Sequence, residues 1–174
     1  SDILINAAMA GSISLNTLSA PDQVKIMNSQ GALALTNPAG ISAVDISLTA
    51  QDSIKIASRS AVTLTAAHSI YLEAKNIDAD NDVDKVENLT LKTTQAAGST
   101  WLAFKNLSSA DAIKLPLIDS ANLTIESDSG VRLHTQSFHN NQTDKPFSSI
   151  NFLRKKTSTD MPKTPLRHPY LNDS

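Results

Sequence analysis

Aliphatic residues recur along the chain in pairs separated by one position: Ile3/Ile5, Ile13/Leu15, Val24/Ile26, Leu33/Leu35, Ile46/Leu48, Ile54/Ile56, Val62/Leu64, Ile70/Leu72, Leu89/Leu91, Leu102/Phe104, Leu115/Leu117, Leu123/Ile125 and Val131/Leu133. A spacing of two is the period of a strand with one buried face. Turn-forming or small residues follow the pairs, such as "NSQG" after Ile26, "TNPAG" after Leu35 and "ESDSG" after Ile125. The pattern predicts roughly fourteen short strands with corners between them. No helical period competes with it from Ser1 to about Gln136.

The spacing between pairs carries further information. From Ile46 through Ile54 and Val62 to Ile70 it is eight residues each time, and the eight recurs from Leu115 through Leu123 to Val131 in another phase. Two positions beyond each pair stands a small or polar residue: Ala7, Thr17, Asn28, Asn37, Ala50, Ser58, Ala66, Ala74, Ser127 or Thr135. Such a residue fits inside a corner. The positions between paired aliphatics (Ser47, Lys55, Thr63, Tyr71, Thr90, Thr124, Arg132) are polar or amphipathic, as a solvated outer face requires. Eight residues leave about three for a turn, and no Asn-Gly or Asp-Gly marks a tight hairpin. Winding in one direction around an axis needs only corners. A short internal repeat of this kind belongs to solenoids and related arrays.

Composition narrows the core. Aromatic residues make up 4% of the 174, so the interior must be filled by thin aliphatic layers. Near Gln136 the repeat is lost. Residues 137–174 hold four of the seven prolines, and six basic residues (Lys145, Arg154, Lys155, Lys156, Lys163, Arg167) against three acidic (Asp144, Asp160, Asp173). That is a net +3, which leaves −5 on residues 1–136 out of the overall −2. The expected organisation is a β-helical rod over 1–136 with a phase break at 78–88, then an extended, basic, proline-containing tail over 137–174 that docks. The tail is too apolar, with Phe138, Phe147, Ile150, Phe152, Leu153, Met161, Leu166 and Tyr170, to be only a solvated brush.

The stretches "DISLTAQDSIKIASRSAVTLTAAHSIYLEAKNI" and, more weakly, "LPLIDSANLTIESDSGVRLHTQS" resemble the C-terminal β-helix of contractile-tail spike proteins, the needle of T-even phages and the VgrG tips of type VI secretion systems. The match spans about residues 45–77 and 113–137. The resemblance implies an all-β intertwined homotrimer, a β-prism in which each chain supplies one side of each turn. It also implies a mechanical role as a spike, fibre or shaft in a virion or extracellular secretion apparatus. The chain lacks the Val-x-Gly octads of the phage needle and the His-x-His iron site of some spike tips. The alternative geometry is a single-chain triangular β-solenoid, in which three octads make one coil of about 24 residues. That geometry suits a monomeric binding or adhesion module, with Tyr71, Trp101 and Phe104 as its available aromatics, or a subunit that polymerises end to end.

Candidate chemistry is sparse. The core pairs Ile46, Leu48, Ile54, Ile56, Val62, Leu64, Ile70, Leu72, Leu123, Ile125, Val131 and Leu133 would carry a structural role. Asp78, Asp80, Asp82 and Asp84 alternate, so on an extended segment their carboxylates would share one face and repel. A structural cation such as Ca²⁺ would relieve this, although the EF-hand pattern is not met; a solvated acidic loop is the plainer reading. The histidines are His68, His134, His139 and His168, and an exposed role suits each. No phosphate loop, Gly-x-Ser-x-Gly elbow or His-Glu-x-x-His is present, so the expectation is no enzyme and no cofactor. The acidic balance argues against nucleic acid as a partner. No apolar run of 18 residues exists, so no integral membrane segment is expected. The basic run "FLRKK" leaves other apparatus proteins, or a transient lipid surface, as partners of the tail.

Overall fold

The structure, a computed structural model, describes residues 1–78, 80–81, 86–87, 89–105, 112–113, 115–128, 132–133 and 147–154. Every regular element among them is a strand. The first coil contains β1 (Ile3–Ala7), β2 (Ser12–Leu15) and β3 (Leu18–Ser19). The chain then returns to the start of the pattern with β4 (Gln23–Asn28), β5 (Ala32–Leu35) and β6 (Ile41–Ala50). It continues with β7 (Ser53–Ile56), β8 (Val62–Ala74), β9 (Asn76–Asp78), β10 (Asp80–Asn81), β11 (Val86–Glu87) and β12 (Leu89–Thr93). The remaining strands are β13 (Ser99–Phe104), β14 (Ala112–Ile113), β15 (Leu117–Asp119), β16 (Asn122–Ser127), β17 (Arg132–Leu133) and β18 (Ser149–Arg154).

These strands form a parallel β-solenoid of about five turns. Its first face is the ladder β1-β4-β6-β8-β13-β16-β18. The second is β2-β5-β7-β9, and β14 and β17 pair with each other in the same parallel sense. The third runs from β3 through the first half of β6, the first half of β8 and β12 to β15. β6 and β8 are long because each bends from the third face onto the first, with a register shift between Ala43 and Asp45 at the edge.

The octad now has a structural meaning. Ile46 lies on the first face, Ile54 on the second, Val62 on the third, and Ile70 is back on the first, directly paired with Ile46. Three octads of one chain therefore close one coil. The ladders that an intertwined prism would form between chains are formed here within the chain, which is the single-chain solenoid geometry. The reason is the return distance: three octads bring Ile70 into register with Ile46, so a coil can stack on its own successor.

Inward residues stack rung upon rung. Ile26, Leu48, Leu72, Leu102 and Ile125 form one buried column on the first face, and Val24, Ile46, Ile70, Thr100 and Leu123 another. Leu33 and Ile54 stack on the second face, and Ile41, Leu64, Leu91 and Ile118 on the third. Each buried aliphatic contributes about 1.5–3 kcal/mol. Parallel sheets covered on both sides read as unbroken aliphatic runs. Here alternation survives because each face is covered on one side only, by the other two faces of its own coil.

The corner residues also stack. Asn28, Ala50, Ala74, Phe104 and Ser127 occupy successive rungs at the end of the first face, all buried. Phe104 fits this narrow column because Ala74 and Ser127 lie on either side of it. Asn28 secures the first corner. Its Nδ2 donates to the carbonyls of Gly11 (3.1 Å) and Ala32 (3.0 Å), and its Oδ1 accepts from the Met9 amide (2.9 Å). Gly40 has a φ of 63°, and a Cβ there would collide with the Thr63 carbonyl of the next coil. Only glycine combines that conformation with that approach.

Some positions depart from the sequence pattern. Leu117 pairs with Thr90, an outward-facing position, and is half-buried, while Ile118 takes the inward place beside Leu91. The phase slips by one residue around Pro116, which cannot donate to a ladder. The segment that loses phase contains the antiparallel pair β10 and β11, an excursion from the coil. The ladder also runs on into the segment that composition sets apart: Ser149–Arg154 pair with Asn122–Ser127 as a further rung, with Phe152 buried.

Replacing Leu64 by Asp places an unpaired carboxylate among fully buried aliphatics. It is expected to destabilise the fold by about 3–5 kcal/mol in denaturant unfolding. Outward Lys55→Gln should change stability by no more than about 0.5 kcal/mol. Asn28→Ala removes partners from four backbone groups, the Met9 and Gln30 amides and the Gly11 and Ala32 carbonyls, and should cost at least about 2 kcal/mol. Equal effects of Leu64→Asp and Lys55→Gln would contradict the inward and outward assignment.

Candidate functional site

The outer surface of the first face carries Trp101, an exposed large hydrophobic side chain of the central coils. Outward positions stack in register as inward ones do. One column runs Lys25, Ser47, Tyr71, Trp101, Thr124 and Asn151, and the neighbouring one Met27, Thr49, Glu73, Ala103, Glu126 and Leu153. Most of these are short or polar. Tyr71 and Trp101 stand on adjacent rungs, and their ring centroids are 6.0 Å apart at an interplanar angle of 59°. Such a tilted arrangement sets the positive edge of one ring against the negative face of the other. Trp101 is 38% exposed and Tyr71 half-buried.

Two carboxylates border the aromatic pair. Glu126, one rung beyond Trp101, accepts a hydrogen bond from the indole Nε1 at 3.1 Å. Glu73 lies on the Tyr71 strand and pairs with Lys105 Nζ at 3.4 Å. Ala103, between Glu73 and Glu126 in its column, faces outward yet is buried. The Tyr71 phenol is pushed up to about 12, first by burial and then by the negative charges of Glu73 and Glu126.

This pairing was hidden in the sequence. Tyr71 and Trp101 are further apart along the chain than three octads, because the β10–β11 excursion lies between them. A scan at octad spacing does not align them. Phe104, the third aromatic considered for an adhesive face, points inward and is buried. Among the aliphatics, Ile46, Leu48, Ile54, Ile56, Val62, Leu64, Ile70, Leu72, Leu123 and Ile125 are buried. Val131 and the side chain of Leu133 lie outside the described residues.

The acidic run is described only by its backbone: Asp78 ends β9 opposite Lys55, and Asp80 opens β10 opposite Glu87. Asp82 and Asp84 lie outside the described residues, as do His134, His139 and His168. Among the described residues no group of three or more His, Asp or Glu side chains is placed to hold a metal ion. His68 is exposed, with Nδ1 4.0 Å from Asp45 Oδ2. Ser69 is the adjacent residue, and its Oγ donates to Asp45 Oδ1 at 2.6 Å. These are the residue types of a hydrolytic triad, but the hydroxyl proton is directed to the carboxylate and not to the imidazole. A nucleophilic serine needs the histidine in the middle.

The raised Tyr71 value implies a pH dependence. The protonated phenol is favoured in the fold, so its contribution is complete below about pH 10 and is lost as pH rises through about 12. Alkaline unfolding should therefore begin above pH 10, and Tyr71→Phe should reduce the loss of stability between pH 10 and 12. Phenolate absorbance that rises with a single midpoint near 10 would contradict this. In comparison with known proteins, no protein family, no curated protein and no solved structure matches the chain.

Proposed function

We propose that the chain is a structural rod element, mechanical rather than catalytic, that holds or spaces other components. The observation that carries this reading is the continuity of the stack. Seven rungs of the first face share one parallel ladder and one aliphatic core, without a break across the described coils. At about 4.8 Å per rung, the ladder extends roughly 29 Å. Bending it would require breaking backbone hydrogen bonds on at least one face. The placement in a phage tail or contractile secretion apparatus rests on the octad resemblance alone. So does assembly as a homotrimer. Because each chain closes its own coils, three chains would pack as three solenoids and not wind into one core.

A second reading, end-to-end stacking, is favoured by the first coil. Leu4 is 62% and Ile5 40% exposed, and no described strand pairs with the far edge of β1. Ile5 points inward like its register partner Ile26, and among the described residues no strand lies over it on the other side. Unpaired edges of this kind accept further strands.

Sedimentation equilibrium of the full chain tests both readings. A concentration-independent mass three times 18.6 kDa supports the trimeric rod. A mass that climbs with concentration, and stops climbing in Leu4→Lys, supports end stacking. A compact single chain at every concentration, with no resistance to protease over residues 1–128, would contradict the rod.

A further inference from the structure

The Tyr71–Trp101 patch differs from the rest of the outer surface among the described residues. It is an electron-rich π surface bordered by carboxylates on a rigid sheet. Of the two carboxylates, Glu73 has a cation, Lys105, at 3.4 Å. Glu126 is met by the neutral indole N–H. On the rungs next to the pair the facing residues are Ser47 and Thr49 on one side and Thr124 on the other; Lys25 lies two rungs from Tyr71 and Asn151 two rungs from Trp101.

We propose that Trp101, Tyr71, Glu126 and Glu73 form a binding site for a cationic side chain, an arginine guanidinium or lysine ammonium lying on the indole face and paired with Glu126. Three observations favour this chemistry over a neutral sugar. A saccharide ring stacks on a flat platform, whereas these rings are tilted by 59°. The indole N–H that would bond a sugar hydroxyl is taken by Glu126. Both carboxylates act on the Tyr71 phenol, so the local field is negative. A cation over the face of tryptophan is attracted by the ring quadrupole, and a carboxylate beside it adds charge pairing. The rod region as a whole carries −5, which draws basic segments towards it. The occupant is a basic segment of a partner protein, drawn by the negative rod region; the chain's own Lys155, Lys156, Lys163 and Arg167 are the competing source. The chemistry is the same for both.

Trp101 is the only tryptophan, so its emission reports on the site directly. The full chain is titrated with a hexa-arginine peptide, a neutral glutamine peptide and cellohexaose. The basic peptide is expected to give a saturable change that weakens as salt is raised. Glu126→Gln keeps an oxygen that accepts the indole N–H and removes only the charge. Together with Glu73→Gln, it should weaken peptide binding by roughly threefold to tenfold, with the far-ultraviolet dichroism unchanged. A second full-length variant with Lys155, Lys156, Lys163 and Arg167 all changed to Gln separates the sources. If the tail is the ligand, this variant shifts Trp101 emission without added peptide and binds the peptide more tightly than the parent. If the ligand is external, its emission is that of the parent and the peptide binds equally to both. The second pattern upholds the partner as occupant; the first gives the site to the tail and overturns that assignment. No saturable response in both chains, equal peptide binding by the carboxylate variant, or saturation by cellohexaose instead would overturn it.

Discussion

Parallel hydrogen bonding between successive coils is the constraint on which the rest of the structure depends. A parallel ladder forms only if the chain travels fully around and returns in the same direction. Coils therefore differ in length but not in strand register. Ile3, Val24, Ile46, Ile70, Thr100, Leu123 and Ile150 are successive register partners on the first face. The return is shortest from Ile3 to Val24 and longest from Ile70 to Thr100, yet the pairing is the same at each step. The variation is absorbed at corners and excursions, where no ladder bond is lost. Backbone groups at the corners are also satisfied from the next coil, as where the Gln51 amide donates to the carbonyls of Asn28 and Gly31.

Much of this was legible because alternation and corner size are local properties. Ile46/Leu48, Ile54/Ile56, Val62/Leu64 and Ile70/Leu72 announce inward columns, and Ala50, Ser58, Ala66 and Ala74 announce corners, from the types of side chain that fit there. The octad could not reveal whether the strand stacked on Ile46 comes from the same chain. That depends on the sum of three strands and three corners, a non-local quantity. Nor could it reveal the shift at Pro116, where Leu117 and not Ile118 continues the apparent period. The rung at Ser149–Arg154 was obscured for a similar reason: the return from β16 to β18 is longer than three octads, and its composition resembles a tail more than a coil.

The aromatic patch shows the same limit. Its members are separated by an excursion whose length has no effect on the ladder, since the register resumes at Ser99 opposite Ser69. Sites on a solenoid surface are columns of residues one coil apart. They can be read from sequence only when coil length is constant. The patch also ties function to stability. Tyr71 and Trp101 lie between the inward columns of Ile70 and Thr100 and of Leu72 and Leu102, so the same two strands hold the core on one side and present the site on the other.

The central claim is that one chain closes each coil. The chain has no cysteine, so a single engineered pair tests it without background. Ser42 and Thr65 are register partners on β6 and β8, one coil apart in sequence. Neighbouring strands bring Cα atoms within the range a disulfide spans. Ser42→Cys combined with Thr65→Cys should oxidise to a disulfide within one chain and run as a monomer on a non-reducing denaturing gel. Disulfide-linked dimers and trimers, with no intrachain product, would show that successive rungs belong to different chains and would contradict the single-chain solenoid.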